Sequence, residues 1–174
     1  MNKIRKAFYM AIELALRICV SPYLRCTLLR LLGARIGDNV RIYETCFINL
    51  DNGFRNLNVE SDVHIGTGCM IDLCAPIYIA QKSTISLGTT ILTHVDPGSH
   101  QGSIICSEFP PSKQAVNIGR ECWIGCNCTI MPGVTIGDRT LVGACSLVTG
   151  DTESGWLYYG VPARRVRALQ LSQA

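Results

Sequence analysis

Aliphatic residues recur at every sixth position through the C-terminal part of the chain. The series consists of Ile118, Ile124, Ile130, Ile136, Val142 and Val148. A helix repeats its apolar positions every three or four residues and a strand every two, so this period predicts short straight segments joined by similar corners. The residues four places after an aliphatic are small or modest in size, namely Cys122, Cys128, Val134, Thr140 and Ser146. The pattern therefore predicts a β-helix of hexapeptides, filled by stacked layers of side chains.

Glycine follows four of the six aliphatic residues directly, at Gly119, Gly125, Gly137 and Gly143. Glycine adopts backbone angles that other residues avoid. We therefore expect these four positions to form corners with unusual backbone angles.

The same period is found earlier in the chain, beginning at Ile36. An Asn- and Asp-rich stretch, Leu50–Asn58, shifts its phase, and a two-residue slip separates Ile77 from Ile79. The repeat stops at residues 93–116, which contain two of the three histidines and three prolines. A long loop that interrupts a rigid repeat is usually functional, so we predict the active site there.

Residues 4–32 read as two helices, with a break at Ser21-Pro22 and a stop at Gly33. The first helix is apolar around most of its circumference, and only Glu13 and Arg17 interrupt it. Before the break it barely reaches the length of a membrane span. Two interpretations stay open: a helix packed on the coil or on a neighbouring subunit, or a helix on a membrane surface beside its basic N-terminal residues.

The composition fits one domain of 174 residues with 48% hydrophobic and 17% charged residues. We divide it into a helical segment at residues 1–33, a β-helix at 34–150 with an excursion loop at 93–116, and a tail at 151–174 that folds over the last coil. The net charge of +3 is too small to indicate binding to nucleic acid.

The ten cysteines predict free thiols rather than disulfides, because the repeat already supplies a core and no cleavable signal peptide is recognisable. Cys46, Cys69, Cys122 and Cys128 each lie four residues after a repeat aliphatic, where a small buried residue is expected. The sequence therefore indicates a reducing cytoplasmic location. A location at the inner face of the membrane is compatible with this prediction. We predict no metal at the cysteines around position 126, because they lack paired CxxC spacing.

The tail Tyr159-Gly160-Val161-Pro162-Ala163-Arg164-Arg165-Val166, taken with the repeat, resembles the hexapeptide-repeat acyltransferases. The resemblance covers roughly residues 33–167. It implies a left-handed parallel β-helix, a homotrimer and acetyl-CoA as acyl donor. The N-terminal helix running into Leu31-Leu32-Gly33-Ala34-Arg35-Ile36-Gly37 is similar to bacterial polysaccharide acetyltransferases. The expected reaction is O-acetylation of a sugar hydroxyl of a cell-surface glycan or its precursor.

In this family the catalytic histidine opens the excursion loop, and Thr93-His94-Val95-Asp96-Pro97 resembles that position. We therefore expect His94 to act as general base. A nearby carboxylate would hold its tautomer, and Asp96, Glu108 and Asp72 are all candidates. His100 would contact the acceptor, whereas His64 is expected to be structural because it precedes a repeat aliphatic.

Asp72-Leu73 marks a departure from the serine acetyltransferases, in which an Asp-His pair occupies the corresponding corner. Leucine cannot accept a proton, so that route to serine acetylation is not expected. Asp72 could orient the acceptor, orient His94 of an adjacent subunit, or cap its own turn.

The resemblance also implies a groove for the acyl carrier that runs towards the C-terminus. The matching positions are Trp123, Gly125, Gly143, Ala144, Ala163, Arg164 and Arg167. The small residues would let the pantetheine lie against the backbone, and the arginines would meet the nucleotide phosphates. The chain has Thr149-Gly150-Asp151 where family members often carry a lysine.

Three alternatives use the same fold. An amino-sugar or antibiotic acetyltransferase would share the base and the groove. A γ-type carbonic anhydrase needs three histidines around a zinc, so it would have to use every histidine of this chain. A non-enzymatic β-helix scaffold would have no need for the long loop or the basic tail.

Overall fold

The computed structural model of the protein describes residues 3–98 and 103–170. Its helices are α1 (Lys3–Ile18), α2 (Pro22–Leu31) and α3 (Ile104–Glu108). The predicted break between the first two is confirmed, since the Ser21 hydroxyl caps α2 by accepting a hydrogen bond from the Leu24 amide at 3.3 Å.

Short strands make up the rest of the regular structure. They are β1 Arg35–Ile36, β2 Arg41–Ile42, β3 Thr45–Ile48, β4 Leu57–Val59, β5 His64–Ile65, β6 Cys69–Asp72, β7 Ile77–Ile79, β8 Thr84–Ile85, β9 Thr90–Ile91, β10 His94–Val95, β11 Ser112–Lys113, β12 Val116–Ile118, β13 Trp123–Ile124, β14 Thr129–Ile130, β15 Thr135–Ile136, β16 Leu141–Val142, β17 Leu147–Val148, β18 Trp156–Gly160 and β19 Ala163–Ala168.

The strands form the three faces of a prism. Face A contains β1, β4, β7, β12 and β15, face B contains β2, β5, β8, β13, β16, β18 and β19, and face C contains β3, β6, β9, β14 and β17. Each coil contributes one strand to each face, and strands of successive coils pair in parallel. This arrangement confirms the predicted solenoid of hexapeptides.

The repeat aliphatics lie inside the prism and stack from coil to coil. On face B, Ile42 pairs with Ile65, Ile65 with Ile85, and Ile124 with both Ile85 and Val142. All five are fully buried. The small residues four places after an aliphatic in the C-terminal part, Cys122, Cys128, Val134, Thr140 and Ser146, are buried as well.

The expected role of the corner glycines was wrong. Gly119, Gly125, Gly137 and Gly143 do not have a positive φ. The left-handed residue of a corner lies three places after the aliphatic, as at Asp62, Lys82, Glu121, Asn127, Arg139 and Cys145. The glycines are needed for another reason, because coils approach each other closely there. A Cβ added to Gly125 would lie 2.5 Å from the Ala144 amide nitrogen.

The first coil departs from the predicted phase. Thr45 pairs with Cys69 and Phe47 with Ile71, so Thr45 and Phe47 point inward. Cys46 is only half-buried and its Sγ lies 2.8 Å from the Arg17 guanidinium, which contradicts its predicted place in the core. The phase therefore shifts already between Ile42 and Thr45, ahead of the Asn-rich stretch.

Helices α1 and α2 cover the open end of the prism, where each face ends in an unpaired strand. Glu13 accepts a hydrogen bond from the Phe47 amide of β3 at 3.1 Å. Arg25 donates to the Ile42 carbonyl of β2 at 2.7 Å, and Arg30 donates to the Ile36 carbonyl of β1 at 2.8 Å. One side chain thus satisfies the edge of each sheet, which protects it from pairing with another chain. The helices pack on the coil, as one of the two interpretations expected.

At the C-terminal end of the prism, β18 continues face B as its sixth strand beside β16, and β19 runs antiparallel to β18.

Throughout residues 3–98 and 103–170, no helix is long and apolar enough to cross a membrane.

Candidate active site

Asp72 and His94 meet at the edge where face C turns into face A, which we call the C–A corner. Asp72 ends β6, and His94 begins β10, three residues beyond the end of β9. Because β6 and β9 are neighbours in face C, both side chains emerge from adjacent coils. The antiparallel pair of β10 with β11, in which His94 lies opposite Lys113, carries the excursion loop outward.

The Oδ2 atom of Asp72 lies 2.6 Å from Nδ1 of His94. The same oxygen accepts hydrogen bonds from the amide and the hydroxyl of Thr93, at 2.8 and 2.9 Å. Its other oxygen accepts from the Asn49 side chain at 2.9 Å and from the Cys74 amide at 3.1 Å. The carboxylate is fully buried, whereas the His94 side chain is 28% exposed. A fixed acceptor therefore holds one ring nitrogen while the imidazole still reaches solvent.

Burial raises the pKa of Asp72, but the hydrogen bonds from His94, Asn49, Thr93 and Cys74 lower it by more. The net pKa lies below the ordinary value for aspartate. Donors that favour the charged form thus outweigh desolvation, and the group is an anion at neutral pH.

The other carboxylates proposed for His94 lie elsewhere. Asp96 accepts a hydrogen bond from the Gly98 amide at 2.8 Å, within its own turn, and Glu108 is exposed on α3. Among the described residues, Asp72 is the carboxylate that contacts His94. His100 lies outside the described residues. His64 lies on face B with its ring centroid 5.1 Å from that of Tyr43.

Two residues of this network were missed at the sequence level, Thr93 and Asn49. Thr93 directly precedes His94, and its position next to the predicted base was the available signal. Asn49 comes from the first coil and carried no signal.

Asp72, Cys74 and His94 also place three potential metal ligands within 4.8 Å of one another. The 2.6 Å separation of Oδ2 and Nδ1 is that of a hydrogen bond, in which the two atoms face each other. Thr93 and Cys74 already donate to the carboxylate. This arrangement fits an oriented histidine base better than a cation site.

The residues predicted for the acyl carrier cluster on face B. Trp123 lies on β13 and is exposed, with its indole N–H donating to the Ser86 hydroxyl at 3.0 Å. Gly125, Gly143 and Ala144 follow β13 and β16 at the B–C corner, where face B turns into face C. Ala163, Arg164 and Arg167 lie on β19, the outermost strand of the same sheet.

Packing within the chain explains two of these glycines. A Cβ on Gly143 would lie 2.8 Å from the Cβ of Tyr159, so the Tyr159 side chain of the same chain already fills the space above Gly143. Gly125 is constrained in the same way by Ala144. By contrast, Ala144 is exposed, as are Arg164 and Arg167.

The two parts of the predicted site occupy different corners of one chain. His94 and Asp72 lie at the C–A corner, whereas Gly125, Gly143 and Ala144 lie at the B–C corner. Face C separates the two corners within a single prism. The arrangement suits a site that forms between two copies of the chain.

Comparison with known proteins identifies the family of this chain. The family model described as bacterial transferase hexapeptide (six repeats) matches residues 115–150. The crystal structure of the hexapeptide-repeat containing acetyltransferase VCA0836 from Vibrio cholerae superimposes with a TM-score of 0.80 at 24% identity, covering 94% of this chain and 90% of that one. Its complex with acetyl coenzyme A gives a TM-score of 0.73 at 24% identity, covering 93% of this chain and 85% of that one.

Sequence relatives agree with the structural match. Galactoside O-acetyltransferase of Escherichia coli (strain K12) is 27% identical over 83% of this chain and 68% of its own length. The putative colanic acid biosynthesis acetyltransferase WcaF of the same strain is 32% identical over 143 residues, which cover 82% of this chain and 74% of WcaF. The chain therefore belongs to the hexapeptide-repeat acetyltransferases.

Proposed function

We propose that the protein transfers an acetyl group from acetyl-CoA to a sugar hydroxyl of a cell-surface glycan or its precursor, with His94 as general base. The observation that carries this proposal is the buried Asp72 carboxylate 2.6 Å from Nδ1 of a partly exposed His94. A histidine oriented by a carboxylate is suited to activating a hydroxyl nucleophile.

The hydrogen bonding supports Nε2 of His94 as the nitrogen that acts as the base. An ionised Asp72 can only accept, so Nδ1 of His94 carries a proton and Nε2 is left as the basic nitrogen. Nε2 takes the proton of the acceptor hydroxyl as the hydroxyl oxygen attacks the thioester carbonyl carbon. The new O–C bond forms, and the C–S bond then breaks to release the CoA thiolate. Asp72 stabilises the resulting imidazolium, and His94 then returns the proton to the departing thiolate.

Acetyl-CoA supplies the acetyl group as a thioester, which is already activated for transfer. The exposed Trp123 and Ala144 would lie along the carrier, and Arg164 and Arg167 would meet its phosphates. The pattern of ion pairing supports the assignment. Arg165 is bound to Glu153 at 2.6 Å, whereas within residues 3–98 and 103–170 the exposed Arg164 has no carboxylate partner.

The active assembly in this proposal is a homotrimer. The base and the carrier residues lie at different corners of one prism, so a neighbour must bring its B–C corner to the C–A corner of the first chain. A ring of three chains would complete three such sites by one repeated contact. Sedimentation velocity tests this part, and an active monomer would contradict it.

The acceptor class rests on the relatives. One of them is named for colanic acid biosynthesis and another as a galactoside O-acetyltransferase. We therefore favour a hydroxyl of a sugar over an amine.

The test combines binding and turnover in the wild type and in His94→Ala. Calorimetry should give equal CoA affinities for both proteins, whereas turnover with a panel of hexosides should fall by about two orders of magnitude or more in the variant. CoA release should be followed by chromatography, because the protein's ten free thiols would react with thiol reagents. His64→Ala controls for the loss of a histidine away from Asp72, and its CoA affinity is measured as well because His64 lies on face B two strands from Trp123.

Three outcomes would contradict parts of the proposal. Failure of the wild type to bind CoA would contradict the assignment of acetyl-CoA as acyl donor. Full turnover by His94→Ala would contradict the assignment of His94 as general base. Faster turnover of amino sugars at nitrogen than of the matching hexosides would replace O-acetylation by N-acetylation.

A further inference from the structure

We propose that the outward face of α1 binds the surface of an anionic membrane, with the helix lying in the plane of the lipid headgroups. The inference does not depend on the acyl chemistry. It rests on the two faces of α1, on the position of the helix's charges and on the charge distribution along the chain.

The inward face of α1 packs on the first coil. Tyr9, Ile12 and Leu16 belong to or pack against the hydrophobic core, and Glu13 reaches the backbone of β3. The ring of Tyr9 also lies edge-on to Phe54, with their centroids 6.2 Å apart. This face needs no further partner.

The opposite face of α1 is also apolar. Positions 7, 11, 14 and 18 follow the spacing of one helical stripe and carry Ala7, Ala11, Leu14 and Ile18. All four are exposed, with Leu14 at 61% and Ile18 at 75%. A helix on the surface of a soluble protein normally has polar residues on that side, so this apolar stripe indicates a partner.

The charged residues in the second half of the helix are committed to the coil instead. Glu13 is buried and binds both the Phe47 amide and Arg17, the latter at 2.7 Å. Arg17 in turn contacts Cys46 of β3. The outward stripe therefore keeps no charge from the middle of α1 to its end.

The link to α2 adds to the exposed apolar surface. Val20 is 92% exposed, and Tyr23 and Leu24 are more than half exposed. Aromatic and aliphatic side chains of this kind occupy the boundary between headgroups and acyl chains when an amphipathic helix lies on a membrane.

The charge distribution identifies the kind of surface. Residues 1–35 contain seven Lys or Arg and one Glu, a net charge of 7 − 1 = +6. Residues 36–174 contain nine Lys or Arg and twelve Asp or Glu, a net charge of 9 − 12 = −3. Arg25 is buried and Arg17 is paired with Glu13, whereas Lys3, Arg5 and Lys6 stand at the start of α1 in the sequence. The apolar stripe therefore follows a basic stretch of a chain whose remainder is acidic.

An anionic bilayer complements this segment on both counts, because it offers an apolar interior and a negative surface. Pairing the stripe with the same stripe of a second copy would bring two +6 segments together. Leu14 also lines a pocket with residues 47–50 of the first coil, and the rest of the stripe is exposed.

Vesicle sedimentation with the full chain tests the proposal. The wild type should sediment with phosphatidylcholine vesicles containing about 30% phosphatidylglycerol and not with phosphatidylcholine alone. Raising the salt from about 0.1 M to about 0.5 M should weaken the binding, because the charge contribution is screened.

Ile18→Glu should lower the partition coefficient about tenfold or more, since it places a charge at the end of the apolar stripe, beside the exposed Val20. Ile104→Glu is the matched control, because Ile104 is an equally exposed isoleucine on the short helix α3. Circular dichroism should show that both variants are folded, and Ile104→Glu should bind vesicles like the wild type.

The proposal is overturned if the wild type ignores anionic vesicles, or if Ile18→Glu and the wild type bind them equally. It is also overturned if Ile18→Glu dissociates the protein into smaller species in sedimentation velocity, since a second copy then covers the stripe. CoA binding by the same variants reports separately on the proposed enzyme.

Discussion

Nδ1 of His94 lies 2.6 Å from Oδ2 of Asp72, although 22 residues separate them in the chain. The distance is short because β6 and β9 occupy the same place in consecutive coils. The Asp72 carboxylate at the end of β6 therefore contacts the His94 side chain, which follows β9 in the next coil. In the proposed reaction Asp72 is thus a positioning residue for His94.

Asp72→Asn should lower kcat about 100-fold, with little change in CoA affinity. Asp72 accepts from His94, Thr93, Asn49 and Cys74. An amide would place an NH2 group against some of these donors, so the ring would lose its fixed tautomer. Steady-state kinetics at saturating acetyl-CoA measures the effect.

Asp96→Asn distinguishes two of the three carboxylates that the sequence suggested as partners of His94. The Asp96 side chain accepts from Gly98 within its own turn, so we expect kcat within about threefold of the wild type. A larger loss in Asp96→Asn than in Asp72→Asn would contradict the assignment of Asp72.

Acid should remove the stability that Asp72 contributes. Its pKa in the folded protein lies below the ordinary value of 3.8, so the contribution is complete above that value and is lost as the pH falls through the folded pKa. At pH values below about 4, the free energy of unfolding of the wild type should therefore decrease. The difference in free energy of unfolding between the wild type and Asp72→Asn should shrink in the same pH range. Urea titrations at neutral and acid pH measure both, and a constant advantage down to pH values well below 3.8 would contradict the lowered pKa.

The period of six was enough to predict the coil, because a buried aliphatic at each turn is a local requirement that leaves a mark in the sequence. Ile124 and Val142 show this, since their positions in the repeat fixed both their burial and their pairing. His94 could be predicted as the candidate base because it opens the long interruption of that repeat.

Polar side-chain contacts between coils produce no periodic signal in the sequence. The choice of Asp72 over Asp96 depends on which corner lies beside His94, and the nearer residue in sequence is not the nearer one in space. The phase of the first coil was also missed, because Glu13 fixes Phe47 from a helix outside the repeat. Side chains that act across coils cannot be assigned from a periodic pattern alone.

Gly125→Ala should destabilise the protein by about 2 kcal/mol, because the coils have no room for the methyl group. The added Cβ would lie 2.5 Å from the Ala144 nitrogen and 2.8 Å from the Val142 oxygen, both backbone atoms. Gly150→Ala is the matched control, with nothing within 4 Å of the new Cβ, and should change stability by less than about 0.5 kcal/mol. Equal melting temperatures for the two variants would contradict this account of the corner glycines.

Arg25 should be the most important of the three side chains that cover the first coil. It is 1% exposed, and its guanidinium donates to the carbonyls of Leu16, Cys19 and Ile42, so it joins α1 and α2 to β2. Arg25→Met leaves these carbonyls without a donor and should cost about 3 kcal/mol. Arg30→Met removes a similar pair of bonds to Ile36 and Gly37 at an exposed site, where water replaces the donor, and should cost about 1 kcal/mol. Thermal unfolding at one protein concentration compares them, and a smaller loss for Arg25→Met than for Arg30→Met would show that α2 is not anchored through the buried guanidinium.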